Sequence, residues 1–465
     1  MFTSLMSSAR KIRVLKLSAI TFAMLLAAPF ASSRSLVKVC DPMYKGIYGA
    51  NYNRISVVFA DGEIGVVDYD NNVIFKTPGR GLLTYTGVDG YMTYTDMDRR
   101  VRIVDYNGKE VGRFPEKVSA NKVGEGDFFY SIVYGGALNI VPKFGIVDTN
   151  GQVVIPAEYT VLRDNQCGLR AAIKMVRELA LMTYKAGFVN DNGEEVIPLK
   201  YYTVESFHNG LARVGRVENN VIYYGMVDTS GNEVVPLIYT YIDPTPSDGL
   251  YLSSREIDGK NLYGYLDEEG SVAIPHEYAY AARFSCGLAA VQDSEHKSEI
   301  GFIDTEGKLV IPFIEKSSGY KFTLPVFSED VCVISIDGKL GVIDKTGALV
   351  APCIFDTKSF ELIFNNKQII PSVYEEGKVA LRVKKGGKYG IFDKKGNAIV
   401  EPIYDAIVYE KNSKLYIVKS KGKWGFLDSD GTMLAPAEYD NYIIPNNQVL
   451  IYEKDKKRGF MKIVD

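Results

Sequence analysis

The chain reads as an all-β protein, a tandem array of about ten three-stranded antiparallel β-meander repeats. Three observations predict this. The phrase Gly-apolar-apolar-Asp-x-x-Gly recurs along most of the sequence, its first glycines 34 to 49 residues apart, a period that belongs to solenoids and propellers. The 32 Tyr, 22 Phe and 43 Gly favour short strands joined by tight turns. The apolar runs between turn residues are short and alternate, which is the period of a strand and not of a helix. An open superhelical array is the first expectation, because propellers usually have about four to eight blades; a closed β-propeller-like ring is the alternative. The fragment Arg458–Asp465, a lone extra strand, suits either a ring completed by its first blade or a cap on an open array.

The first 33 residues stand apart. Arg10, Lys11, Arg13 and Lys16 precede the apolar run Leu17 to Ala28, and small residues Ala31-Ser32-Ser33 follow. This is the pattern of a signal peptide cleaved near Ser33, with a run too short for a comfortable membrane span. The expected organisation is therefore a signal peptide over 1–33, divergent β repeats over 34–140, and a regular array over 141–465 ending in a partial repeat. The five cysteines (Cys40, Cys167, Cys286, Cys332, Cys353) form no CxxC pair, and their odd number leaves one unpaired. Buried thiols acting as small hydrophobes are the expected state. The net charge of -3 gives no bias toward nucleic acid or anionic membranes.

Register can be followed repeat by repeat. Gly65–Asp68 opens it, with Asn71 in place of the second glycine; Arg102–Asp105 to Gly108 has Arg for the first. Gly145–Asp148 to Gly151, Gly187–Asn190 to Gly193, Gly225–Asp228 to Gly231 and Gly264–Asp267 to Gly270 follow. Gly301–Asp304 to Gly307, Gly341–Asp344 to Gly347, Gly390–Asp393 to Gly396 and Gly425–Asp428 to Gly431 complete it. After five of these turns comes an apolar-Pro phrase and a Tyr, as in Val234-Val235-Pro236 with Tyr239. Then comes Phe-x-x-Gly-Leu-Ala, as at Phe207–Ala212 and Phe284–Ala289. Each repeat is thus three strands, the third expected to end at its proline, which donates no ladder hydrogen bond. Leu169 to Lys185 is helical by propensity, but it occupies the register position of Leu211 to Tyr224, so it is expected to be strand, turn and strand. The stretches around Asp243–Asp248 and Phe360–Ser372 are expected to be variable surface loops.

The recurring Asp could be read as a row of calcium ligands. Calcium needs several oxygens converging on one ion, yet each repeat fixes only one, and Asp393-Lys394-Lys395-Gly396 sets two cations beside it. Turn chemistry explains more. Asp at the first position of a type I turn accepts backbone N–H groups, and Gly at the fourth takes a left-handed conformation. Asn190 and Asn71 are substitutions such a turn permits. The aromatic-Gly pairs, among them Phe144-Gly145, Tyr224-Gly225, Tyr263-Gly264, Tyr389-Gly390 and Trp424-Gly425, suggest rings covering glycine in the core. A sugar-stacking ladder is the other reading of these rings.

Lys423-Trp424-Gly425-Phe426-Leu427-Asp428-Ser429-Asp430-Gly431, followed by Leu434-Ala435-Pro436 and Tyr439-Asp440, resembles the WG-repeat (KWG-repeat) family. The resemblance covers about 141–465 well and 50–140 loosely, with Tyr, Phe, Ile or Leu replacing Trp in all but one copy. It implies a β-rich, non-enzymatic repeat, frequent in bacterial proteins, with no family active site.

Catalytic signals are thin. His208, His276 and His296 share no metal spacing, and His276-Glu277, placed in a loop after a strand, lacks a second zinc-binding His. No nucleophile elbow or phosphate loop occurs, and Gly79-Arg-Gly81 and Gly124-Glu-Gly126 read as turns. No catalytic, cofactor-binding or metal-binding residues are assigned, and no cofactor is expected. Lysines gather in the last third (Lys384, Lys385, Lys388, Lys394, Lys395, Lys419, Lys421, Lys423 and others); charged turns and edges that discourage aggregation are the expected role. The expected function is an exported, periplasmic or extracellular, non-catalytic scaffold binding another protein. Binding of cell-wall or surface polysaccharide through exposed aromatics is the alternative, and a hydrolase is a third reading. Neither nucleic acid nor stable membrane insertion after signal cleavage is expected.

Overall fold

The computed structural model describes residues 34–464 except 78–80, 86–89, 115–118, 121–127, 134–141, 179–180, 296–298, 316–324, 337–338, 357–361, 365–366, 370–376 and 383–386. The proposed signal peptide, His296, Lys384, Lys385 and Gly124–Gly126 lie outside the described residues. Every described element is a β-strand or turn, and all ladders are antiparallel.

One sheet explains the others. Thr203–Val204, Leu211–Glu218, Val221–Asp228 and Glu233–Tyr239 pair in chain order. The expected three-strand unit is present, preceded by a short strand that the sequence reading did not assign, so most sheets have four strands. His208 and Leu211 exchange two backbone bonds across Asn209-Gly210, whose φ values are +48° and +82°. Asn219-Asn220, at +50° and +62°, close the next hairpin. Both are two-residue turns with left-handed central residues, the kind whose twist matches the flanking strands.

The third hairpin is the recurring motif. Gly231 N–H donates to Asp228 O at 2.9 Å, and Asp228 Oδ1 accepts from the N–H of Ser230 and Asn232, both at 2.9 Å. Gly231 sits at φ +84°. The same closure recurs at Asp148/Gly151, Asn190/Gly193, Asp344/Gly347 and Asp393/Gly396, and Asn71 takes φ +67° in place of glycine. Asp428 departs: its Oδ1 takes the Ser429 N–H at 2.7 Å, while Asp430 takes Thr432.

The fourth strand does not end at its proline. It continues to Tyr239, and the register slips between Tyr224↔Tyr239 and Met226↔Val235, leaving Pro236-Leu237 as a bulge. A bulge needs no ladder donor, so proline fits inside the strand. The slip recurs opposite Gly187, Gly264, Gly390 and Gly425. It also corrects the reading of those glycines. A Cβ on Gly225 would stand 2.5 Å from Val235 O and 2.9 Å from Leu237 N; on Gly425 it would stand 2.6 Å from Ala437 N. The bulged backbone, not a covering ring, demands glycine there. The rings themselves pack inward: Trp424 and Tyr389 are buried, and Tyr224 and Tyr263 pack against the core.

Leu169–Glu178 and Leu181–Val189 are strands, as register predicts against helix propensity. Asp243 is a correction: although expected in a surface loop, it is only 1% exposed and paired with Arg283. Within the other expected loop, Leu362–Phe364 pairs with Lys367–Ile369 as a small hairpin.

Neighbouring sheets share apolar clusters. Val204, Val214 and Val227 join Phe188, Ile197 and Tyr201 of the preceding sheet, while Met226 and Val235 join Ile242 and Tyr251 of the next. The turn glycines lie at these junctions. A Cβ on Gly231 would meet Ile197 of the preceding sheet at 3.3 Å, one on Gly307 would meet Ile274 at 3.4 Å, and one on Gly347 would meet Ile311 at 3.0 Å. Each Asp-x-x-Gly turn therefore nests on the fourth strand of the sheet before it.

No described sheet closes into a barrel; each keeps two edges. The ends of the array nonetheless meet. Ser35–Lys38 pairs with Lys457–Val464, and Cys40, Tyr44, Ile47 and Ile55 pack with Val449, Ile451 and Phe460. Tyr452 Oη donates to Cys40 O at 2.8 Å, and Asn446 Nδ2 donates to Ala50 O at 3.1 Å. The N-terminal strand thus completes the last sheet of the array.

Candidate interaction surface

The sequence offered four sets of residues with chemical potential: the turn aspartates, the histidines, the lysines and the aromatic row. The aspartates spend their oxygens on backbone N–H groups, and at Asp228, Asp344 and Asp393 also on a neighbouring Asn or Thr side chain. Those bonds hold the three carboxyls below the usual carboxylate range, with the side-chain bond the leading lowering cause. Among the described residues, no three His, Cys, Asp or Glu side chains are grouped so as to hold a metal ion.

His276 corrects its sequence assignment. It lies within the strand Val272–Tyr278, is 5% exposed, and shares a 2.8 Å hydrogen bond between Nε2 and Ser253 Oγ. Its Nδ1 has no partner, Tyr239 packs 5.5 Å from its ring, and burial, reinforced by Arg255, lowers its pKa to about 4. A bonded Ser–His pair is part of a nucleophile arrangement, but Ser253 has no exposed surface and Nδ1 holds no acid. The pair satisfies the interior of one sheet. His208 is exposed beside the first turn of the preceding sheet and belongs to no such pair in the described contacts.

The lysines are largely engaged. Lys388 bonds Asp405, Lys423 bonds Asp440, Lys394 lies 3.4 Å from Glu329, and Lys454 lies 3.1 Å from Glu438. Lys419 sits 4.6 Å above the Trp424 ring. Two of these contacts explain the motif's leading lysine. Lys423 precedes Trp424, and its partner Asp440 also accepts the Asp455 N–H at 2.9 Å, tying one sheet to the second hairpin of the next. Lys388, Asp405 and Lys421 repeat the arrangement one sheet earlier. The signal was legible as Lys-aromatic-Gly with Tyr-Asp following, but the sequence reading left the pair unassigned.

Of the cysteines, Cys40 and Cys332 are buried as expected, whereas Cys167 is exposed on a turn at φ +57°. The five form no disulfide with one another. Burial pushes the Cys332 thiol well above its ordinary value.

What remains exposed and repeated is the fourth strand. Its pattern alternates: Val235, Leu237 and Tyr239 face the core, while Val234, Pro236 and Ile238 face out. Val154, Val196, Val310 and Ile399 hold the place of Val234 in other sheets, and Val153, Val272, Leu309, Leu349 and Met433 are exposed one residue earlier, at the place of Glu233. Because each turn nests on the preceding fourth strand, these side chains form a row running from sheet to sheet. A smaller feature is a stacked pair, Tyr263 and Tyr280, with ring centroids 6.1 Å apart and Tyr280 58% exposed.

Among the described residues no helix is long and apolar enough to cross a membrane. Seven stretches match the family described as WG containing repeat: 144–175, 187–215, 224–252, 263–294, 300–314, 389–424 and 424–457. No curated protein matches the chain. Solved structures similar to it include a eukaryotic initiation factor (TM-score 0.38, 12% identity, 86% of this chain and 96% of that one). Another is BamB from Moraxella catarrhalis (TM-score 0.25, 10% identity, 92% and 99%). A third is PorZ of Porphyromonas gingivalis, a surface component of its type-IX secretion system (TM-score 0.24, 11% identity, 90% and 62%).

Proposed function

We propose that this chain, a WG-repeat protein, is an exported, non-catalytic scaffold that binds another protein along its row of fourth strands. The observation that carries the reading is the outward apolar side chain placed alike in sheet after sheet. Single exposed apolar residues need no explanation, but a contiguous apolar row on a folded protein marks an interaction surface. Stacked repeats offer such extended surfaces as a matter of geometry. Residues 10–33 support export to a periplasmic or extracellular location.

The test is capture from the exported fraction with the mature chain as bait, run beside a Val196→Ser, Val234→Ser, Val272→Ser variant. Partners retained by the parent and lost by the variant support the reading; equal recovery on both baits sinks it. N-terminal sequencing of the exported chain tests cleavage near Ser33. Carbohydrate binding is a second reading, favoured by the stacked and exposed Tyr263–Tyr280 pair. A glycan array probed with the parent and with Tyr280→Ala separates it from the first.

A further inference from the structure

The row of fourth strands presents apolar side chains in sheet after sheet, but it is not electrically uniform. Residues 187–315 contain 21 Asp and Glu against eight Lys and Arg, a net of -13, in a chain whose total is -3. The remainder of the chain is therefore net +10.

The structure places much of this charge on the row itself. Glu195 and Glu233 are exposed on the fourth strands beside Val196 and Val234, and Glu277 is exposed near the far end of the strand that begins at Val272. Glu269 and Glu306 are exposed on Asp-x-x-Gly turns. The turn carrying Glu269 rests on the preceding fourth strand, since a Cβ on Gly270 would stand 3.3 Å from Val234. The turn carrying Glu306 rests likewise against Ile274, two residues from Val272. Carboxylates and apolar side chains therefore interleave on one surface. Lys200, on a fourth strand, and Lys308, just after a turn, are cations interspersed among these carboxylates, and Lys200 lies over the Tyr201 ring at 5.2 Å. In the next two sheets with this turn, its middle residues are cationic instead: Lys345 in one and Lys394-Lys395 in the other.

We propose that the outer rim over 187–315 docks a cationic polypeptide segment in which lysine or arginine alternates with apolar residues. This rests on the scaffold reading and names the partner's chemistry. Charge complementarity selects the occupant. Nucleic acids and anionic polysaccharides are repelled by the rim, and a neutral glycan gains nothing from its carboxylates. An extended chain with side chains alternating in character satisfies both features at once. Recognition falls to side chains, because Pro198, Pro236, Pro275 and Pro312 lie in the outer strands, exposed and close to their bulges, and spoil the edge for strand addition.

The test uses the full mature chain and a fluorescent peptide of alternating lysine and valine, about 12 residues and so about 40 Å when extended. Its control alternates lysine with serine. Fluorescence anisotropy is expected to show the lysine-valine peptide binding at least about tenfold tighter than the control. Combining Glu233→Lys, Glu269→Lys and Glu306→Lys is expected to weaken binding at least about tenfold. The corresponding Gln variants should weaken it less, and Lys345→Glu with Lys395→Glu should not weaken it. These side chains are exposed, so circular dichroism should be unchanged. Equal affinity for the two peptides overturns the proposal, as does unchanged affinity in the charge-reversed variant. The scaffold reading is tested separately by capture: a partner held equally by the parent and the charge-reversed variant leaves a scaffold but removes this docking site.

Discussion

Acidification should weaken the sheet containing His276 by an amount that its burial sets. The imidazole is 5% exposed, accepts or donates one bond at Nε2, and has no partner at Nδ1. Burial, with Arg255 adding repulsion, moves its pKa from 6.5 to about 4. Between those values the unfolded chain binds the proton and the folded chain does not. Stability is therefore complete above pH about 6.5 and falls as pH drops toward 4. At one pKa unit per 1.36 kcal/mol the full loss is about 3 kcal/mol, of which about 2 kcal/mol is gone by pH 5. The turn aspartates lose stability in the same direction, because their folded values are lowered. A His276→Gln variant, which cannot titrate, isolates the histidine. Urea unfolding of both proteins at pH 7.5 and pH 5 is the assay. The parent should lose about 2 kcal/mol more than the variant on acidification. An equal loss in both would refute the claim that His276 is buried neutral.

Two further outcomes are expected. Gly425→Ala forces a Cβ to 2.6 Å from Ala437 N, whereas at Gly422 nothing lies within 4 Å and only the φ of +83° resists substitution. Thermal unfolding should show Gly425→Ala costing about 2–3 kcal/mol and Gly422→Ala about 1 kcal/mol, and the reverse order would contradict the bulge argument. Asp228→Ala removes the acceptor used by Ser230 and Asn232 and should cost about 1 kcal/mol, while Asp228→Asn should cost less. If calcium raised the melting temperature of the parent but not of Asp228→Ala, the turn reading of the aspartates would fail.

The sequence made the hairpins legible because turn chemistry is local. Asp228 and Gly231 meet their partners within four residues, so a single repeat contains the whole argument. Leu169–Glu178 was legible for another reason: register across copies carried information that propensity contradicted. What the sequence hid was contact between distant segments. Gly425 looked like a seat for Trp424, but its constraint is the backbone around Pro436 in the next strand. The short first strands, such as Thr203–Val204, have too few residues to show a period. Lys423 and Asp440 stand 17 residues apart, and only the fold brings them together. His276 was misplaced because the proline before it was taken as a strand end, when it marks a bulge and the strand runs on. The rim was legible only in part: the strand alternation showed in each copy, but its continuity depends on turns nesting on neighbouring sheets.

The pairing of Ser35 with Val464 sets an order in time. Every other ladder among the described residues joins strands of one repeat, so each such sheet can form as soon as its own residues have been made. The strand Ser35–Lys38 can dock only after the last residues exist, although it is made almost first. Closing so long a loop from a disordered chain would be slow, since the entropic cost grows with length by about 0.6 kcal/mol per doubling. Local sheets assembled earlier shorten that search by holding the two ends on one rigid body. Until then Ile47 and Ile55 lack the cover of Phe460. A nascent or truncated chain therefore carries an unfinished seam, and that seam is where premature association between copies is to be looked for.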